Sequence, residues 1–424
     1  MHNEISKQLI EFIKKSPTCF HAVQTMSDLL IEEGFTELKE NEKWKLEKGG
    51  KYFVTRNGSS LIAFTIPEQE MKGMRIMASH SDSPSFKIKE NPEMEAEGHY
   101  IKLNVEKYGG MLCAPWFDRP LSIAGRVIVR DPETGTLRTV LVNVDRDLVM
   151  IPNLAIHMNR EVNDGYKYNA QKDMLPLYGD ITAKDSFMKT IADAAGAAPD
   201  DILGHDLFLY NRQKASIWGA SEEFLSSARL DDLQCAFSSL KGFLAGEKKE
   251  YMAVHCVLDN EEVGSGTKQG AASTFLYDTL TRAHDSLGLS REDYLIHLAD
   301  SFMVSADNAH AVHPNYPEKM DPVNRTYLNG GIVLKFNANQ KYCTDGVSAA
   351  MFRDICQKAG VPVQTFTNRS DMMGGSTLGN ISNTQVALNT ADIGLPQLAM
   401  HSPYETVGVK DTEYLIRAAE VLFC

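Results

Sequence analysis

The sequence offers little sulfur chemistry. Its seven cysteines (Cys19, Cys113, Cys235, Cys256, Cys343, Cys356 and Cys424) are widely spaced, and no C-x-x-C occurs. An odd, scattered set argues against a disulfide framework and against a cysteine zinc site. Long apolar runs are also missing. No stretch approaches the ~18 residues of a membrane span. The opening Met-His-Asn-Glu-Ile-Ser-Lys-Gln reads as an amphipathic helix with no apolar core behind it, so no signal peptide is expected. Positive charge is in deficit: 43 Lys and Arg face 56 Asp and Glu, a formal net charge of −13. That balance argues against nucleic acid and anionic membrane as main partners. Together these absences point to the cytoplasm. There is no internal repeat and no low-complexity segment.

What is present is an α/β pattern interrupted once. The 424 residues exceed the ~250–300 that one core supports, so two domains are expected. Residues 3–14 and 20–34 carry helical spacing, and 51–55 with 60–66 reads as a hairpin around Asn57-Gly58. Residues 74–79 form a short apolar run. From 92 to 221 helical periodicity fades and short alternating runs appear between turn clusters, which predicts a β-rich insertion. From 222 onward helices are expected at 230–244, 269–285, 347–358 and 412–423. Strands are expected at 251–258, 302–306, 331–335, 361–366 and 395–400. Alternation of this kind predicts a largely parallel sheet in a domain built from 1–91 and 222–424.

Ligands in open α/β sheets bind outside the carboxyl ends of the strands. The run 74–79 ends in His80. The run 251–258 ends in Asp259-Asn260-Glu261-Glu262. The run 302–306 ends in Asp307, and 395–400 ends in His401. The helix at 231 opens with Asp231-Asp232. Each residue alone has an ordinary reading: a helix cap for Asp231, a solvated pair for Glu261-Glu262, a hydrogen-bonded strand end for His80. Jointly, five segments deliver imidazole and carboxylate donors to one rim, a set that suits zinc. Two ions ~3.5–4 Å apart can share a bridging carboxylate, and a carboxylate that is not a ligand can act as base. Glu261 beside Glu262 fits that division. Asp82, two residues after His80, is placed to accept the other ring N–H of a ligating histidine.

Six segments carry a resemblance to a known family. They are His80-Ser81-Asp82-Ser83-Pro84, Leu230-Asp231-Asp232, DNEEVGS at 259–265, SADNAHAVHPNY at 305–316, GGSTL at 374–378 and AMHS at 399–402. In order and content they are similar to the aspartyl aminopeptidase family of zinc exopeptidases, which form tetrahedral homododecamers. The resemblance implies two zinc ions per subunit, with cobalt or manganese as substitutes. It implies that His80, Asp231 and Asp307 hold one ion. Asp231, Glu262 and His401 would hold the other, with Asp231 bridging. It makes Glu261 the catalytic base. It places His310, Lys335 and Tyr342 in contact with substrate and gives the insertion a dimerising role. It also has His157 reach a neighbouring subunit's site. The implied substrates are peptides with a free N-terminus, with Asp or Glu as the candidate first residue.

The chain departs from the eukaryotic form of that family at three places. Asp232 stands where Asn is common, Gly lies within 371–375 where Cys is found, and 402–405 reads Ser-Pro-Tyr-Glu. Neither His313 nor Asp371 receives a role. Two rivals remain at this stage. One is a related zinc carboxypeptidase or deacylase, and the other is a non-catalytic peptide-binding assembly.

Overall fold

The computed structural model describes residues 2–247 and 249–424. Contacts divide the chain into two units: 1–82 with 215–400 and 405–424, and 83–214 with 401–404.

Among the described residues of the first unit, nine strands form the main sheet: β1 (Thr36–Leu38), β2 (Lys51–Arg56), β3 (Ser60–Thr65), β4 (Gly73–His80), β5 (Tyr251–Leu258), β6 (Phe302–Ala306), β7 (Ile332–Phe336), β8 (Val363–Thr367) and β9 (Asn389–Gly394). Their order is β1-β2-β3-β5-β4-β6-β9-β7-β8. Five pairings are parallel and three antiparallel, so the sheet is mixed with a parallel centre. The antiparallel pairings come from the β2–β3 hairpin, its neighbour β5, and β9 against β7.

The central strands are continuous apolar runs because both of their faces are covered. Leu61 and Ala63 of β3 face a core shared with helices His2–Lys15, Cys19–Glu32, Leu230–Ala245, Gly346–Ala359 and Asp411–Leu422. Ile62 and Phe64 face the opposite core, under helices Phe275–Ser286 and Arg291–Ala299. Leu61, Ile62 and Phe64 each contribute ~1.5–3 kcal/mol by leaving water. Close helix packing fixes the element that carries Asp231. A Cβ on Gly242 would stand 2.3 Å from Ala419 Cβ and 2.9 Å from Ile416 O. A second sheet of five short strands (Ser216–Trp218, Phe224–Ser227, Glu405–Gly408, Pro396–Leu398, Ala309–His310) also belongs to this unit.

The second unit is a six-stranded antiparallel sheet around its own core, which includes Phe86, Leu103, Ile123, Val127 and Leu207. Helix Phe187–Ala195 adds Phe187 and Ile191 to that core, so the insertion is not purely β. Its ends lie at 83 and 214 rather than 92 and 221. The strand Ser85–Ala96 crosses the expected boundary, and it pairs only with Tyr100–Tyr108 and Ile202–Asn211.

Two expected elements shift, and two others were not expected. The helix expected from 269 begins at Phe275, because the Gln269 carbonyl is tied to Ser60 Oγ at 2.7 Å, and Asp259 N also reaches it. The strand expected at 395–400 is only Pro396–Leu398, in the second sheet. The strand that enters the main sheet is β9. Its apolar run is broken by Asp392, yet this residue is fully buried and takes the Cys343 amide at 2.6 Å and the Cys343 thiol at 3.0 Å. Helix Arg291–Ala299 was not expected. It is capped by a Ser290–Asp293 box and buries only Tyr294, so its apolar stripe is weak.

Candidate metal centre

Strand register builds the site. In the parallel pair β4–β5, His80 lies opposite Leu258, so both strands end at one level. The chain after Leu258 turns through Asn260 in the left-handed region, φ 62°, into a short 3-10 turn, Glu261–Val263. Asn tolerates that conformation better than most residues. Its side-chain oxygen accepts from Thr267 and Gln269, at 2.8 and 2.7 Å, which locks the turn. Asp307 follows β6, whose strand also pairs with β4.

His80 is the hub. Its Nε2 lies 3.3 Å from Asp231 Oδ1, 3.7 Å from Asp307 Oδ1 and 4.0 Å from Asp232 Oδ2. Its Nδ1 lies 3.1 Å from the Asp82 carbonyl, which can only accept. That bond places the proton on Nδ1 and turns the Nε2 lone pair toward the carboxylates. The Asp82 carboxylate is 3.4 Å from the same ring nitrogen, a longer approach than that of its own carbonyl. The shorter bonds of this carboxylate are to the backbone amides of Glu261 and Glu262, at 3.1 and 3.2 Å. Asp231 and Asp232 open helix Leu230–Ala245, where the positive end of the helix favours carboxylates. The Asp231 amide donates to Glu405 Oε2 at 3.0 Å.

His401 lies in the six-residue loop, 399–404, between Pro396–Leu398 and Glu405–Gly408. These strands pair with each other, so both ends of the loop are held in the second sheet of the first unit. Two donor groups result within the first unit, each with ligand atoms within 4.8 Å of one another: His80 with Asp231, Asp232 and Asp307; and His80 with Glu261 and Glu262.

The electrostatics are those of a crowded anionic site. Burial pushes Glu261 up to about 8, with the charges of Asp307, Asp82 and Asp231 adding to it against His80. Burial and then Asp231 hold Glu262 well above the carboxylate range. Burial raises Asp232 likewise, reinforced by Asp307 and Asp231 against the opposing His80. Burial pulls His80 down, but the Asp232 charge and the bonds to Asp231, Asp307 and Asp82 lift it well above its usual value. Carboxylates concentrated out of water call for cations. Donor atoms bound to one ion at ~2.0–2.2 Å stand ~3.3–3.6 Å apart in a tetrahedron. The 3.3 Å separation at His80 matches that spacing and the 3.7 Å one is slightly wider. The residues present therefore suit divalent metal.

The chain matches the family model "Aminopeptidase I zinc metalloprotease (M18)" over residues 12–423. The chain belongs to this family. It is similar to a "Probable M18 family aminopeptidase 2" of Clostridium acetobutylicum, 49% identical over 426 residues and covering 99% of this chain and 98% of the relative. Among solved structures it is similar to a chain of the "Ape4 and Nbr1 complex", with TM-score 0.95, 36% identity, and coverage of 100% of this chain and 86% of that one. It also resembles the "S. cerevesiae mApe1 dodecamer", with TM-score 0.87, 28% identity and coverage of 99% and 96%. This M18 protein is a zinc metallopeptidase of the aminopeptidase class.

The other residues singled out in this M18 chain fall into different settings. Lys335 is buried at the end of β7. Its ammonium donates to the Asn308 carbonyl at 2.9 Å, stands 3.7 Å from Asp307 Oδ2 and lies 5.4 Å from the centre of the Tyr342 ring. Tyr342 is buried beneath it. His310 is exposed and lines a cavity of about 300 Å³ with Phe366, Asn368, Met372, Gly374 and Gln397. It is in none of the donor groups. His157 lies exposed in the second unit, in the short turn Ile156–Met158. His313 takes the Asn315 amide at 3.2 Å, and Asp371 pairs with Arg369 at 2.8 Å.

Two participants escaped sequence reasoning. Asp232 is in the first donor group, signalled only by the Asp-Asp pair. Glu405 holds the Asp231 amide, and nothing in the sequence pointed to it.

Proposed function

We propose that this M18 chain removes N-terminal residues from peptides with two metal ions per subunit. His80, Asp231 and Asp307 would hold one ion, and Asp231, Glu262 and His401 the other. The observation that carries the reading is that two donor groups meet at His80 within the first unit, one bringing Asp231 and Asp307 and the other Glu261 and Glu262. When bound, the ions supply Lewis-acid polarisation of the scissile carbonyl and acidify the attacking water.

The protein's own groups do the rest. Glu261 takes the proton from water and returns it to the leaving amine. Asp82 fixes Glu261 and Glu262 by their backbones and keeps His80 in the Nδ1–H tautomer. Burial of the rim excludes bulk water and strengthens each of these interactions. Acidic first residues are the candidate substrates, supported by the Lys335 ammonium beside Asp307. A homododecamer is the candidate assembly, supported by the family and by the solved mApe1 dodecamer. Within it the second unit would dimerise and His157 would serve a neighbour's site.

The test uses aminoacyl-p-nitroanilides, their N-acetylated counterparts, and the variant Glu261→Gln. The wild type should cleave free but not blocked substrates. Glu261→Gln should keep two ions per subunit and lose ~10²–10⁴-fold in rate. Cleavage of blocked substrates would point to a deacylase or carboxypeptidase. A Glu261→Gln variant at wild-type rate would refute the base assignment.

A further inference from the structure

Asp232 has an unassigned place among the donors. It is fully buried and groups with His80, Asp231 and Asp307. Its Oδ2 takes the His80 backbone N–H at 3.0 Å and stands 4.0 Å from His80 Nε2. Its Oδ1 is buried and takes no N–H or O–H, with the Cys235 thiol close enough to Asp232 to interact weakly. The nearby Cys235 thiol gives its hydrogen to Asn308 Oδ1 at 3.1 Å. A cap on the His80 amide needs only one acceptor oxygen, and the neutral amide of Asn would supply it. A buried carboxylate with a spare oxygen does more than that role requires.

We propose that Asp232 is a fourth protein donor at the position of His80, Asp231 and Asp307, and that it shifts this position toward a harder divalent ion such as Mn²⁺. The inference rests on the two-metal reading above. Its geometry is specific. Donors ~2.0–2.2 Å from one ion can stand up to ~4.4 Å apart when they lie on opposite sides. The 4.0 Å between His80 Nε2 and Asp232 Oδ2 is wide for neighbouring corners of a tetrahedron. It suits nearly opposite corners of a five- or six-coordinate shell. One imidazole with two carboxylates is an ordinary zinc position, whereas a third carboxylate makes it oxygen-rich and more anionic. Oxygen-rich shells of higher coordination are those Mn²⁺ accepts most readily.

Asp232→Asn isolates the charge, because the amide oxygen still caps His80. Metal-free wild type and Asp232→Asn, prepared with a chelator and checked for fold by circular dichroism, are titrated with Mn²⁺ or Zn²⁺ against a competing chromogenic chelator. Wild type should take two ions per subunit. The variant should hold Zn²⁺ within about threefold and lose about tenfold or more in Mn²⁺ affinity at one position. Equal weakening of both ions, or no change, would reduce Asp232 to the amide cap and overturn the proposal alone. Wild type that binds no ion would overturn the two-metal reading with it. If the Asn variant does not fold, wild-type crystals soaked in Mn²⁺ decide. An Asp232 oxygen about 2.0–2.3 Å from the ion supports the assignment, and one beyond about 3 Å overturns it.

Discussion

Asp82 holds Glu261 by its backbone: Oδ1 accepts the Glu261 N–H at 3.1 Å, while Oδ2 takes that of Glu262 at 3.2 Å. One carboxylate thus sets the proposed base and the proposed neighbouring ligand as a pair. Its main-chain carbonyl orients His80 at the same time.

Replacing Asp82 by Asn should break that pairing, because its NH₂ cannot accept the second amide. Metal affinity should fall ~10–100-fold, the usual cost of losing a group that orients ligands. Turnover at saturating metal should fall as well. Metal titration and kcat on the same preparation check this. Unchanged values for both would leave Asp82 without the role given to it.

Lys335→Met removes the cation beside Asp307. In the metal-free protein the partly buried Asp307 then loses its ammonium partner and keeps His80 Nε2 at 3.7 Å, a loss of up to ~3–5 kcal/mol. The loss should shrink once metal is bound, because the ion then balances Asp307. Denaturant unfolding with and without metal measures both. An equal loss in the two states would separate Lys335 from the metal centre.

The metal-free protein should lose stability as pH rises from about 6.5 to 8. Glu261 is pushed up to about 8 by burial and then by its carboxylate neighbours, and Asp259 to about 7 by burial and then Asp82. In the unfolded chain both ionise near about 4. The folded form therefore binds more protons over this window, and stability falls as they leave. His80, raised well above its usual value, acts in the same direction. His255 and His21, lowered to about 3 and about 4 by burial, oppose the trend only below about 6.5. Thermal melts across the window, with chelator and with metal, test the claim. A melting temperature that rose with pH in the metal-free protein would contradict it.

His157→Ala should leave the fold within about 0.5 kcal/mol, since the side chain is exposed. Metal content should be unchanged, but activity should drop if His157 serves a neighbour. Mixed oligomers of His157→Ala and Glu261→Gln subunits should regain activity, because some sites would pair an intact Glu261 with an intact His157. Full activity in His157→Ala alone would remove this role.

Much of the centre was readable because strands announce their ends. β4, β5 and β6 are apolar runs, and His80, the acidic stretch from Asp259 and Asp307 follow them directly. The run before His401 misled. Residues 395–400 look like a core strand, but only Pro396–Leu398 pairs, and it does so in the second sheet. β9 was hidden by Asp392, whose burial is tolerated through a long-range bond to Cys343. The partners of Asp82 were equally hidden, because they are backbone amides 179 and 180 positions away. Side-chain patterns carry no record of such bonds.

The register of His80 against Leu258 bears on how such centres are recognised. The second unit leaves the chain at residue 83 and returns by 214, between His80 and Asp231. Spacing between these two residues is therefore set by the length of the inserted segment. A pattern search that demands a set interval from the first histidine to the aspartate pair would miss proteins with the same chemistry. The steadier signature is that His80, Glu261, Glu262 and Asp307 fall at or just after the last residues of their own strands.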